Sequence, residues 1–210
     1  MMQRNQTEKG FRELRMEEQE LMHLVQKGDE VAFEKIVSIY KHRIVNFLTQ
    51  LTGDYQGAVD LAQETFMRVY FKANKYKPVA PLSSWIYTIA SNLAKTELKK
   101  ERKMSTVSID DTENRLGEQI AAKEKNQDTY LIENLKKALN SLHPRYRLPI
   151  ILKDIEGFSQ EEIAQIMKRP VGTIKARISR GRDQLKHILE KDEHNLDFLA
   201  KPKEYEHGIK

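Results

Sequence analysis

The stretch Glu156 to Arg182, EGFSQEEIAQIMKRPVGTIKARISRGR, constrains the fold more than any other part of the chain. Gly157 suits the end of a preceding helix. Ser159 stands three residues before Glu162, the spacing of a capping box in which the serine oxygen takes one orphan backbone N–H and the glutamate reaches back to another. The pair predicts a helix from Gln160. Ile163, Ile166 and Met167 recur at spacings of three and four and so share one buried face, while Ala164 is small enough for a second helix to cross closely. Pro170 cannot continue that helix, yet it suits the first turn of another, whose inner face is set by Ile174, Ile178 and Leu185. Two short helices joined by a tight turn make a helix-turn-helix. Where many such turns have glycine, this one has Lys168.

At about 100° per residue, the second helix turns Gly172, Ala176 and Ser179 outward. Thr173 and Arg180 flank them on one side, Lys175 and Arg182 on the other. Small residues let the backbone come near a partner, and the flanks reach around it. From Lys168 to Arg182 there are six basic residues and no acidic one. Taken alone, such a run reads as a solvated basic face. With the cap, the turn and the small-residue stripe it fits a helix lying in the DNA major groove, its cations on phosphates and base edges.

The 210 residues suffice for two small domains, each with its own core. Apolar residues make up 39% and charged residues 32%, so polar segments are expected beside compact helical parts, and the net charge of +5 leans toward an anionic partner. The absence of cysteine excludes disulfides and thiolate sites. The six histidines are scattered without helical ligand spacing, and no nucleophile-base arrangement or phosphate-cradling glycine loop stands out. We therefore expect no metal, no cofactor, no small-molecule substrate and a binding rather than an enzymatic role. No apolar run of about 18 residues and no signal-peptide pattern occurs, which predicts a cytoplasmic protein.

Along the chain, residues 1 to 15 are polar and aperiodic and read as a mobile arm. A helix follows with Leu21, Leu24 and Val25 inward, stopped at Gly28. Asp29 caps a long helix whose apolar positions run from Phe33 to Leu51, ending at Gly53. In the next helix, about Ala58 to Lys72, Ala58, Leu61, Ala62, Thr65 and Val69 make the inner face. Asp60, Gln63, Glu64, Met67, Tyr70 and Phe71 gather opposite, a mixture that suits docking to another protein better than solvent. Asn74 to Ser84 holds two prolines and reads as a loop, with Ser84 capping a helix from Trp85. Its inner face is Ile86, Ile89, Ala90 and Leu93. Thr88, Ser91, Asn92, Lys95 and Lys99 form an outward stripe with Trp85 and Tyr87 near its upper end, a pattern that fits single-stranded nucleic acid, although either ring would equally complete a small core. Between Ser108 and Glu124, five acidic residues against two basic ones read as a tether. Leu131, Leu135, Ala138, Leu139 and Leu142 then give a helix face ending at His143-Pro144, and a further helix spans Arg145 to Glu156, where Pro149 requires a late start or a bend.

Taken in order, these segments resemble the extracytoplasmic function (ECF) group of bacterial sigma factors, over roughly residues 20 to 190. DLAQETFMRVY (Asp60 to Tyr70) resembles that group's polymerase-docking helix, SSWIYTIASNLAK (Ser83 to Lys95) its promoter-melting helix, and PVGTIKARISRGR (Pro170 to Arg182) its upstream-element reader. The resemblance implies an all-α fold of two small helical domains joined by a flexible acidic linker, the C-terminal one containing the helix-turn-helix. Its boundaries would be an arm at 1–15, a region 2 type domain at 16–102, a linker at 103–128, a region 4 type domain at 129–190 and a tail at 191–210. Carried over by position, Asp60, Gln63, Glu64, Met67 and Arg68 would grip core RNA polymerase. Asn74, Lys75, Tyr76 and Lys77 in the loop, with Trp85, Thr88, Ser91, Asn92 and Lys95, would take the melted strand of the promoter -10 element. Arg169, Val171, Thr173, Lys175, Ala176, Arg177 and Arg180 would read the duplex -35 element. An anti-sigma factor, often membrane-bound in that group, would be a further partner. Ser91 and Thr96 depart from the arginine and aspartate frequent in the group, as does Pro149. The rival reading is a stand-alone helix-turn-helix regulator whose N-terminal part dimerises or senses a ligand.

Overall fold

The computed structural model describes residues 16–107 and 127–200, with side chains described for 16–103 and 131–191. Among the described residues every regular element is helical: α1 (16–26), α2 (Glu30–Thr52), α3 (Tyr55–Phe71), a 3-10 turn (Ala73–Lys75), α4 (Leu82–Val107), α5 (Gln127–Ser141), α6 (Pro144–Ile150), a π turn (Ile151–Ile155), α7 (Gln160–Met167) and α8 (Val171–Ala200).

Local chemistry explains most of the boundaries. Asp29 caps α2 by accepting from the Ala32 N–H at 3.0 Å, and Gly53 ends it at φ 83°, a left-handed turn that costs a side-chain-bearing residue strain. Asp54 then accepts from the N–H groups of Gln56 and Gly57, both at 3.0 Å, and starts α3. Helix α4 begins at Leu82, three residues before the expected start, so Ser84 lies inside its first turn rather than at its cap. Helix α6 starts at Pro144, so no late start occurs, and the proline at 149 lies one residue before its end. It sits buried inside the helix, and two residues later the ladder widens to a π turn closed by Glu156 N–H on the Ile151 carbonyl at 3.0 Å. Helix α8 runs on through Ala200, past the point where a tail was expected.

Two apolar faces differ from the periodic reading. In α1 Met22 is fully buried while Leu24 is exposed, and in α5 Leu131 and Leu135 lie open while Ala138, Leu139 and Leu142 are covered. The buried side chains of the two parts of the chain meet in one cluster that includes Met22, Phe47, Tyr87, Phe158, Ile163 and Ile174. An aromatic relay crosses the boundary: Phe47 lies 4.9 Å from Tyr87, and Tyr87 lies 4.8 Å from Phe158, edge to face. The Tyr87 hydroxyl donates to the Glu156 carboxylate, which also has Arg43 at 3.7 Å. Burial pushes the Glu156 carboxyl above its usual range, against the pull of Tyr87 and Arg43.

Buried Arg147 makes a second bridge. It donates to the Leu51 carbonyl at 2.8 Å, in the last turn of α2, to the Leu142 carbonyl at 3.1 Å, and to the carbonyl and side-chain oxygen of Asn140. Helix C-termini leave carbonyls without intrahelical partners, so a guanidinium with five donors finds acceptors there without a carboxylate.

Candidate polymerase and nucleic-acid interfaces

The docking face expected on α3 is open. Asp60, Gln63 and Met67 are exposed, and Met67 and Phe71 edge an apolar groove of about 580 Å³ between α2 and α3. Phe33, Val37, Val45, Phe66 and Tyr70 also line it. Glu64 and Arg68 form an ion pair at 2.7 Å one helical turn apart, worth only a few tenths of a kcal/mol, ~0.5, at such exposure.

The loop after α3 is more firmly built than its proline content suggested. Tyr76 is buried, its hydroxyl donates to the Ala80 carbonyl at 3.1 Å, and its ring lies 5.4 Å from Trp85. Tyr76 is therefore part of the loop's scaffold, and Asn74, Lys75 and Lys77 are its exposed members. Gln26 of α1 was missed in the sequence. Its side-chain amide donates to the carbonyls of Ala73 at 3.0 Å and Tyr76 at 3.1 Å, holding the start of the loop. Nothing local marks Gln26, because its partners lie about 50 residues on, at separations of 47 and 50.

Helix α4 corrects the expected stripe. Asn92 is exposed, while Trp85, Thr88 and Lys95 are half-buried and the Thr88 hydroxyl donates to the Ser84 carbonyl. Ser91 is fully buried, its hydroxyl without a hydrogen-bond partner among the described residues, and Tyr87 is fully buried as a core ring. The reason is tertiary. Ser91 lies one turn on from Tyr87, whose ring meets Phe158, and α4 packs against α7 as well as α2 and α3. One further turn on, burial lowers the Lys95 ammonium from its usual value, and Arg169 and Arg177 of the other half push it the same way.

The helix-turn-helix matches its sequence signature closely. Ser159 N–H donates to the Glu162 carboxylate at 2.8 Å, and Glu162 N–H to the Ser159 hydroxyl at 3.1 Å. Lys168 occupies the left-handed turn position at φ 51°. Relieving that strain should make Lys168→Gly more stable by about 0.5 to 1 kcal/mol, less than the full left-handed penalty because glycine gains freedom in the unfolded chain. Chemical denaturation checks this, and a loss of stability would mean that the lysine side chain contributes more than its backbone costs.

On α8, Val171, Lys175, Ala176 and Arg180 are exposed, as is Arg169 before it, and Thr173 and Arg177 are half-buried. Thr173, Ala176, Arg177 and Arg180 line a trough of about 440 Å³ with Gly172, Arg145 and Tyr146. Arg182, expected as a free flank, is instead held by both oxygens of Asp154.

Two family models match the chain: "Sigma-70 region 2" over residues 36–104 and "Sigma-70, region 4" over residues 132–185. The ECF RNA polymerase sigma factor SigW of Bacillus subtilis is 31% identical over 173 residues, covering 79% of this chain and 92% of that protein. The ECF RNA polymerase sigma-E factor of Escherichia coli is 32% identical over 178 residues, covering 80% of this chain and 92% of that protein.

The chain belongs to the ECF sigma factors of RNA polymerase.

A solved sigma factor, RpoE of Bartonella quintana in complex with the anti-sigma factor NepR, superposes on this sigma factor with a TM-score of 0.63 at 28% identity, over 75% of this chain and 96% of that one. The protein is thus an alternative sigma factor for transcription initiation, and none of these matches favours the stand-alone regulator. Within this sigma factor the region 2 match spans most of α2, then α3, the loop and most of α4. The region 4 match spans α5 into the middle of α8. No described helix is long and apolar enough to cross a membrane.

Proposed function

We propose that this sigma factor acts in the cytoplasm, grips core polymerase through Asp60, Gln63, Glu64, Met67 and Arg68, and directs promoter-specific initiation by binding alone, without catalysis. Its region 2 type domain is read as residues 16–102 and its region 4 type domain as 129–190. Arg169, Val171, Thr173, Lys175, Ala176, Arg177 and Arg180 would read the -35 duplex. Asn74, Lys75 and Lys77, with Trp85, Thr88, Asn92 and Lys95, would take the melted -10 strand, with Tyr76 shaping the loop from within. Ser91, fully buried in this form, would join them only once it is uncovered. Base capture in the loop offsets an unstacking cost of a few kcal/mol per step, ~2–4.

The observation that carries the docking assignment is the open α3 face, where Asp60, Gln63 and Met67 stand exposed beside an apolar groove. The packing of the two halves supports a further element. The free protein rests in a closed form in which α7 packs on α4, and core polymerase separates the halves to promoter spacing. Two modest DNA contacts joined through one rigid enzyme then raise each other's effective concentration. An anti-sigma factor is an additional partner, a reading supported by the complex in which the Bartonella relative was solved.

Run-off transcription tests the proposal. Purified core polymerase with this protein, on genomic fragments from its own host, should yield discrete transcripts absent without it. With Asp60 and Gln63 both changed to alanine, yields should fall by at least about tenfold, since a central interface contact is worth about 1 to 2 kcal/mol. Undiminished transcripts would remove α3 as the docking face. No transcripts with the wild-type protein, together with protection of a palindrome without polymerase, would overturn the sigma assignment.

A further inference from the structure

The trough beside α8 has a wall that does not belong to the helix-turn-helix. Arg145 and Tyr146, near the start of α6, face Gly172, Thr173, Ala176, Arg177 and Arg180 across it. The close approach of α6 to α8 rests on Gly181. A Cβ there would lie 2.5 Å from Ile150 Cδ1 and 3.2 Å from Tyr146 Cβ, so any larger residue would force the Ile150 and Tyr146 side chains to shift. Tyr146 is buried in this contact and its ring carries the Arg145 guanidinium at 4.5 Å. That stacking fixes an otherwise flexible side chain at the rim of the trough, at little further entropic cost on binding.

Arg145, Arg177 and Arg180 thus share one concave surface, and among the described residues that line it none is acidic. Three guanidiniums without a carboxylate repel one another and are best satisfied by a polyanion. Arg177 and Arg180 project from the helix proposed to enter the groove. Arg145 comes from a different helix and flanks that groove, the geometry of a backbone contact and not of a base contact.

We infer that Arg145, seated on Tyr146, clamps a backbone phosphate of the -35 duplex and fixes the register in which α8 enters the groove. The inference rests on the sigma reading above and adds to it a residue outside the recognition helix. A clamp of this kind carries no sequence information. It contributes affinity equally to every promoter this protein uses.

The test uses holoenzyme assembled with full-length protein on a promoter obtained from the run-off transcripts, with binding measured across a salt series. Arg145→Ala should weaken binding by about eightfold at 0.1 M salt and lower the slope of log affinity against log salt by about 0.9, the signature of one lost phosphate contact. The loss should be the same on -35 sequences carrying single base changes, and Arg145→Lys should recover much of it. Affinity and slope unchanged in Arg145→Ala would overturn the inference, as would a loss that varies with the base at one -35 position. Thermal unfolding of the free variant separates both results from misfolding, because Arg145 is exposed and its removal should leave the melting point near that of the wild type. If the inference alone fails, wild-type holoenzyme still discriminates among -35 sequences. If the sigma reading fails, it does not.

Discussion

Phe158→Ala is expected to destabilise the free protein by about 3 to 5 kcal/mol, the usual cost of emptying a buried phenylalanine site. The ring is almost fully buried and packs edge to face on Tyr87 of α4, so its loss opens a cavity where the two halves meet. Urea denaturation measures the effect. Because Phe158 also packs within its own half, Tyr87→Phe is the companion variant: it keeps both rings and deletes only the hydroxyl that donates to Glu156. If the closed form is the resting form, Tyr87→Phe lowers stability by about 1 to 3 kcal/mol while assembly with core polymerase is undiminished or tighter, since less closure has to be undone. Assembly that weakens in step with stability would show that the contact serves the fold alone.

Arg147→Met should cost about 2 to 4 kcal/mol. The substitution retains much of the side-chain volume but strands the carbonyls of Leu51, Asn140 and Leu142, and buried acceptors without donors are each worth about 1 to 3 kcal/mol before water relieves them. Arg147→Lys should recover only part of this, because one ammonium cannot span acceptors placed for a planar fork. Burying a guanidinium is itself costly, so the opposite outcome has a clear meaning. A methionine variant as stable as the wild type would show that desolvation of Arg147 had cancelled its hydrogen bonds.

What was legible in the sequence was written locally. Asp29 and Gly53 bound α2, and the Ser159 and Glu162 pair starts α7. Each of these signals acts within four residues. What was not legible acts over long separations. The burial of Tyr87 has no local signal, because Phe158 and Glu156, which meet it, come from beyond the linker, with Tyr87 and Glu156 69 residues apart. Arg147 reaches Leu51 over 96 residues, and Arg182 was counted as a free cation because Asp154 lies 28 residues before it. At the proline at 149 the local rule named a late start or a bend, and the structure has an on-time start at Pro144 followed by a π turn at Ile151–Ile155. For the polymerase and -35 surfaces the sequence named residues that lie on the surface or half-buried. For the -10 surface it could not show which of them the other half of the molecule covers.

The meeting of Lys95 with Arg169 and Arg177 gives the molecule a particular relation to its ionic surroundings. Like charges drawn together by closure repel most in dilute buffer and least once mobile ions screen them, over about 10 Å at 0.1 M salt. In the closed form proposed above, rising salt would relax this repulsion and would also weaken the attraction between Arg43 and Glu156 across the same boundary, so the two screening effects oppose each other.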